Sequence, residues 1–113
     1  MNFIIKLLLS GLAVITAAYL LPGVYISGFI SAIVVAIVLG LFNALVRPIL
    51  IILTIPVTIF TLGLFIFVIN AIIILMVSSI LNGFEVDGFW WALAFSIVLT
   101  IVTSIINSAI KES

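Results

Sequence analysis

Apolar residues run along this chain in long blocks, not in alternation with polar ones, and the few polar or helix-breaking positions divide the blocks into membrane-length pieces. The first block, residues 4–21, ends at Pro22 and Gly23, which stop a helix and make a turn. A cleaved signal peptide is its rival reading, with Lys6 as the basic region and Thr16, Ala17 and Ala18 as the cleavage site. More apolar blocks follow, not a secreted domain, so the block is read as a span. Residues 29–81 are interrupted only softly, and as one helix at ~1.5 Å per residue they would reach ~80 Å. That length is too great for one crossing of a ~30 Å hydrocarbon core and suits two. The last block, residues 89–110, follows the polar stretch from Asn82 to Gly88. The pattern predicts an all-α integral membrane fold within one transmembrane domain, residues 1–113, with spans at about 4–21, 29–50, 62–81 and 89–110.

The chain also repeats itself at an offset of 60 without gaps. Leu21, Gly23, Gly28, Phe29, Ala32, Ile37, Val38 and Leu39 fall on Leu81, Gly83, Gly88, Phe89, Ala92, Ile97, Val98 and Leu99, eight identities over nineteen positions. Coincident Leu, Ile and Val mean little here, but two matched glycines followed by phenylalanine carry weight. The repeat predicts two helical hairpins, halves at about 1–50 and 62–113, related as parallel repeats because two spans return the chain to its starting side. Residues 51–61 are then left between helices two and three as a broken or re-entrant segment. Pro56, Thr58, Thr61 and Gly63 give this segment its turn, and its backbone needs cover from other helices or a second subunit.

Composition turns this pattern into an exclusion. With 68% hydrophobic and 5% charged residues and a mean hydropathy of +1.79, the chain cannot coat a soluble globule. It has no cysteine and no histidine, which excludes thiol redox chemistry and His or Cys metal ligands. Zero net charge argues against nucleic acid as a partner. The carboxylates are Glu85, Asp87 and Glu112, and no hydroxyl has a histidine or lysine placed to activate it, so no enzyme and no cofactor are expected. Glu85 and Asp87, beside Gly88, read as a solvated outer loop rather than a cation site.

The few charges agree on orientation. With the amino terminus in the cytoplasm, Lys6, Arg47 and Lys111 all lie inside and Glu85 and Asp87 outside, as the positive-inside rule requires. Both termini are therefore expected on the cytoplasmic side of the membrane. Trp90 and Trp91, with Tyr19 and Tyr25, would form an aromatic belt at the outer interface.

Small residues recur every four positions on helix two, at Ala32, Ala36, Gly40 and Ala44, and their repeat counterparts on helix four are Ala92, Ser96, Thr100 and Ser104. Both ridges are expected to be packing faces, because small residues let helix backbones approach closely in lipid. A polar stripe of Ser96, Thr100, Thr103 and Asn107, continuing to Lys111, lies beside the second ridge. We read it as interhelical hydrogen bonding in preference to a pore lining. Arg47, followed by Pro48, is the single charge between Lys6 and Glu85. A central arginine costs about 2.5–3.5 kcal/mol on insertion scales, so a position at the cytoplasmic end of helix two, within snorkelling reach of lipid phosphate, is expected. Asn43 and Asn70 are its expected neighbours, and either could bond it.

At Asn43, Arg47 and Pro48, then Pro56, Thr58, Thr61, Leu62 and Gly63, then Asn70 and Ala71, and last Val86, Asp87, Gly88, Phe89 and Trp90, the chain resembles the phage-holin-like small bacterial membrane proteins of the mycobacteriophage holin superfamily, which include chromosomal YvlD-type proteins. The resemblance implies a cytoplasmic-membrane protein of about four spans, and the holin label implies oligomeric lesions that release a lysis enzyme. Three readings follow, all with membrane lipids as surroundings. The first is a homo-oligomeric protein with a structural or envelope-stress role. The second is a holin or channel, and the third a small carrier or lipid-handling protein.

Overall fold

The structure, a computed structural model, describes residues 2–112, and the expected placement of the Lys111 side chain lies outside the described residues. Four long helices carry the fold: α1 (Phe3–Leu20), α2 (Phe29–Leu53), α4 (Phe65–Ile80) and α5 (Phe89–Glu112), with a short α3 (Ile55–Phe60) between the second and third of them. Two strands, β1 (Val24–Ile26) and β2 (Phe84–Val86), pair antiparallel between the helices of each hairpin. Helix α1 packs on α2 and α5, and α4 packs on α5 and α2, so the long helices close a ring in the order α1, α2, α4, α5. Successive helices run in opposite directions. One end of the bundle carries the β ribbon, and the other carries both termini and α3.

Helices α1, α2 and α5 are each long and apolar enough to cross a membrane, whereas α4, at 16 residues, is about 24 Å long at ~1.5 Å per residue and relies on the turn before it to complete a span. The predicted turns at residues 22–28 and 82–88 hold the strands, which the all-α expectation missed. Tyr25 faces Glu85 across the ribbon, flanked by Val24 with Val86 and Ile26 with Phe84. Beyond the strands the backbone of Ser27 donates to the Gly83 carbonyl at 2.9 Å and that of Asp87 to the Gly23 carbonyl at 2.8 Å. These bonds join segments 60 residues apart and satisfy amides that a simple turn would leave bare.

Segment 51–61 is broken at Thr54 into the end of one helix and a short second one. Helix α2 passes through Pro48 and continues to Leu53, only Thr54 separates it from α3, and most of the segment is helical. The residues that looked like interruptions act as helix ends. The Thr54 hydroxyl donates to the Leu50 carbonyl at 2.7 Å, and Pro56 sits in the first turn of α3, where no intrahelical N–H bond is required. Helix α3 closes with Gly63 N–H on the Thr58 carbonyl and Leu62 N–H on that of Ile59, a Schellman pairing. Leu62 takes the left-handed position there, at φ 57°, where glycine is usual.

The core lies at the ribbon end. Ala17, Ala18, Ala32, Val35, Val77, Ala92 and Phe95 are buried there, and Phe84 reaches into them from β2 to meet Phe95 with ring centroids 5.5 Å apart. Tyr19, Tyr25 and Trp90 are exposed around the same end. Trp91 turns inward onto Gly23, where an added Cβ would lie 2.1 Å from the indole Cδ2. Gly23→Ala is therefore expected to force the indole or the ribbon outward and cost about 1–3 kcal/mol, the usual penalty of overpacking. A denaturation midpoint in mild detergent unchanged from wild type would refute this contact.

Candidate functional site

Below the core, the bundle opens. Among the described residues α2 buries Ala32, Val35 and Leu39 but nothing beyond. Helix α5 buries Ala92, Phe95 and Ser96 but nothing from Ile97 to Ile110, and α3 buries nothing at all. The two predicted packing ridges therefore pack in their upper halves only. Ala32, Ala92 and Ser96 are buried and Ala36 is half-buried, whereas Gly40, Ala44, Thr100 and Ser104 are exposed. A Cβ on Gly40 would meet nothing within 4 Å. Ala36 and Gly40 instead open onto a groove of about 350 Å³ against Phe3, Leu7 and Ser10 of α1.

Arg47, Asn43 and Asn70 come together in the opening. With Leu39, Ile73, Ile74, Ser96, Leu99 and Thr100 they line a cleft of about 90 Å³ between α2, α4 and α5. Arg47 and Asn70 are half-buried and Asn43 is exposed. The sequence reading allowed either asparagine to bond Arg47; none of the three side chains makes a hydrogen bond or ion pair among the described residues. The Thr100 hydroxyl donates to the Ser96 carbonyl at 2.8 Å and the Ser96 hydroxyl to that of Leu93 at 2.9 Å. Both of these hydroxyls are thus bonded within their own helix. Arg47 lies about 27 Å along α2 from its ribbon end at ~1.5 Å per residue, near the far limit of a ~30 Å core. Pro48, exposed on the next position, cannot donate to the Ala44 carbonyl.

A second opening lies across the bundle, between α1 and α5. Lys6, Leu9, Ser10, Ala13, Thr103, Ile106 and Asn107 line about 240 Å³. Lys6, Thr103 and Asn107 are exposed, and none of their side chains has a hydrogen-bond partner among the described residues. Sequence reasoning placed Thr103 and Asn107 on a stripe but did not join Lys6 and Ser10 to them. The signal was present in the repeat, since Ser10 corresponds to Asn70 and Asn107 to Arg47.

At the α3 turn, Pro56 is exposed, Thr58 and Gly63 are half-buried, and the Thr61 hydroxyl donates to the Thr58 carbonyl while accepting from the Phe65 N–H. The Thr58 Oγ1 is buried without a partner. Phe60 and Leu62 are 89% and 93% exposed, so among the described residues nothing covers the outer side of this apolar turn. At the ribbon end Glu85, Asp87, Gly88 and Trp90 are all exposed, and Gly88, at φ +101°, accepts the Ala92 N–H that starts α5.

Apolar helices, a ribbon closing one end and, near the other, an arginine without a partner among the described residues define a small multi-span helical membrane protein. The chain belongs to the family described as mycobacterial 4 TMS phage holin, superfamily IV, whose model matches residues 1–105. It is 38% identical over 109 residues to the uncharacterized membrane protein YvlD of Bacillus subtilis, covering 96% of this chain and 92% of that one. It is 36% identical over 121 residues to an uncharacterized protein of Streptomyces coelicolor, covering 98% and 97%. No solved structure matches it.

Proposed function

We propose that the protein is a homo-oligomeric structural component of the bacterial cytoplasmic membrane, with both termini in the cytoplasm and a role in maintaining the envelope under stress. The open lower bundle carries this reading. Gly40 and Ala44 on α2 and Thr103, Ser104 and Asn107 on α5 are exposed at membrane depth, and the three polar side chains have no partner among the described residues. In lipid, uncovered polar groups are costly, and small residues favour close helix contact, so a second copy supplies what one copy lacks. The bare α3 turn asks for the same cover. Two duplicated hairpins account for the matched bounds of the strands and of the bonds from Ser27 and Asp87. The cytoplasmic placement of the open end follows from Lys6 and Arg47 lying there and Glu85 and Asp87 on the ribbon.

Molecular mass in mild detergent tests the assembly. A mass that is a multiple of the single chain is expected, and Arg47→Ala is expected to shift it if Arg47 anchors the subunit contact. A single-chain mass at all protein concentrations would overturn the reading.

The description of the family model favours one further reading, a holin or channel whose open clefts join in the oligomer. Liposomes loaded with a self-quenched dye decide it. Release that rises with protein density is the channel outcome, and none at high density leaves the structural reading.

A further inference from the structure

The two openings are the same place in the two halves of the chain. Moving 60 positions along the sequence takes Ser10 to Asn70, Ala13 to Ile73, Asn43 to Thr103 and Arg47 to Asn107. Among the described residues each cleft thus contains one cation and an amide or hydroxyl from the neighbouring helix. The cation is on the second helix of its hairpin in one cleft, as Arg47, and on the first in the other, as Lys6. Neither cation has an ion pair or hydrogen bond among the described residues. Glu85 and Asp87, the carboxylates with described side chains, are at the opposite end of the bundle on the ribbon.

The donor set selects the ligand. Guanidinium and ammonium groups offer only N–H donors, and the asparagine amides beside them add more, so the arrangement suits an anion with several acceptor oxygens. An unpaired cation at the edge of the hydrocarbon is costly, and a charge-assisted bond to phosphate removes that cost. Volume selects further. The Arg47 cleft, at about 90 Å³, is well below the ~300–1,000 Å³ of an ordinary small-molecule pocket. It suits a phosphate group, with the rest of the ligand lying outside the cleft. Its remaining wall is apolar, formed by Leu39, Ile73, Ile74 and Leu99, and offers an acyl chain a surface leading away from the cation.

We propose that Arg47, Asn43 and Asn70 bind the phosphate of an anionic membrane lipid, and that Lys6, Asn107 and Ser10 form a second, quasi-equivalent site across the bundle. The Arg47 site is the tighter of the two, because guanidinium can grip two phosphate oxygens at once whereas the exposed lysine acts as a point charge.

Native mass spectrometry of the full chain in detergent, titrated with phosphatidylglycerol, phosphatidylcholine or inorganic phosphate, tests the assignment. Two phosphatidylglycerols per chain are expected to persist where phosphatidylcholine is stripped. Arg47→Gln is expected to weaken the tighter site about tenfold or more, the loss of a charge-assisted hydrogen bond. Lys6→Gln should remove the weaker copy alone. Arg47→Lys and Asn43→Ala, which leave a cation in place, guard against misfolding and are expected to lower affinity severalfold with the oligomer mass unchanged. Equal retention of the two lipids by wild type, or two tight copies in Arg47→Gln, would overturn the proposal. Inorganic phosphate binding as tightly as phosphatidylglycerol would overturn the lipid assignment.

Discussion

Phe84→Ala is expected to cost about 3–5 kcal/mol of stability, the range for truncating a fully buried aromatic ring. Phe84 is 0% exposed, on a three-residue strand that otherwise faces outward at Glu85. Its ring meets the equally buried Phe95 of α5, and its strand is held to β1, so one side chain fastens the ribbon, α5 and the top of the core together. Truncation leaves a cavity at the junction of both hairpins, where neither can collapse without breaking the ribbon. Reversible unfolding by increasing mole fraction of a denaturing detergent, followed by tryptophan fluorescence, provides the measurement. Trp91 lies against Gly23 in that same region and reports on it directly. A loss below about 1 kcal/mol would mean that the ribbon is an ornament on the bundle, because it would fall short of ordinary core truncation.

The second large effect separates the fold from the assembly. Ser96→Leu and Gly40→Leu alter the two predicted ridges, yet opposite outcomes are expected. Ser96 is 6% exposed between the core and the Arg47 cleft, and a leucine there crowds the core or fills the cleft beside Arg47, costing about 1–3 kcal/mol by overpacking. Gly40 is exposed with open space at its Cβ, so leucine there leaves the single chain's unfolding midpoint nearly unchanged. Its effect falls on subunit contact, and a fall in oligomer mass without loss of chain stability is the expected result. If Gly40→Leu keeps the wild-type mass, the contact between copies does not use this face.

The helices were legible from the sequence because their signal is local. An apolar run long enough to span a membrane, ended by Pro22 with Gly23 or by Asn82 with Gly83, is visible within a window of about 20 residues. The observed α1 and α5 begin or end within a few residues of the predicted spans. Prolines were harder to read. Pro48 and Pro56 both looked like interruptions, but one lies within a continuing helix and the other starts one, and composition alone does not distinguish these roles. The ribbon was legible only as a pair of matched loops. Three-residue strands carry too little pattern to register, and their partner lies 60 residues away.

The candidate site was half legible. Arg47 stood out because a lone charge in apolar surroundings is conspicuous, and Asn43 and Asn70 were named as its neighbours. Their lack of mutual hydrogen bonds was not visible, nor was the second cleft at Lys6, because a cation near the start of a span looks like an ordinary flank.

By itself the sequence determined that this protein lives in a membrane, where its helices run and which residues are too polar to be there by default. Only the tertiary structure decided which end of the bundle is closed, that Phe84 and the Gly23–Trp91 contact close it, and that Gly40, Ala44 and the lower α5 stripe are left uncovered. The reason is the solvent. In water a buried face differs from an exposed one by polarity, and the pattern can be read along the chain. In lipid both faces are apolar, and packing is decided by the fit of side-chain shapes, which adjoining residues in the sequence do not record.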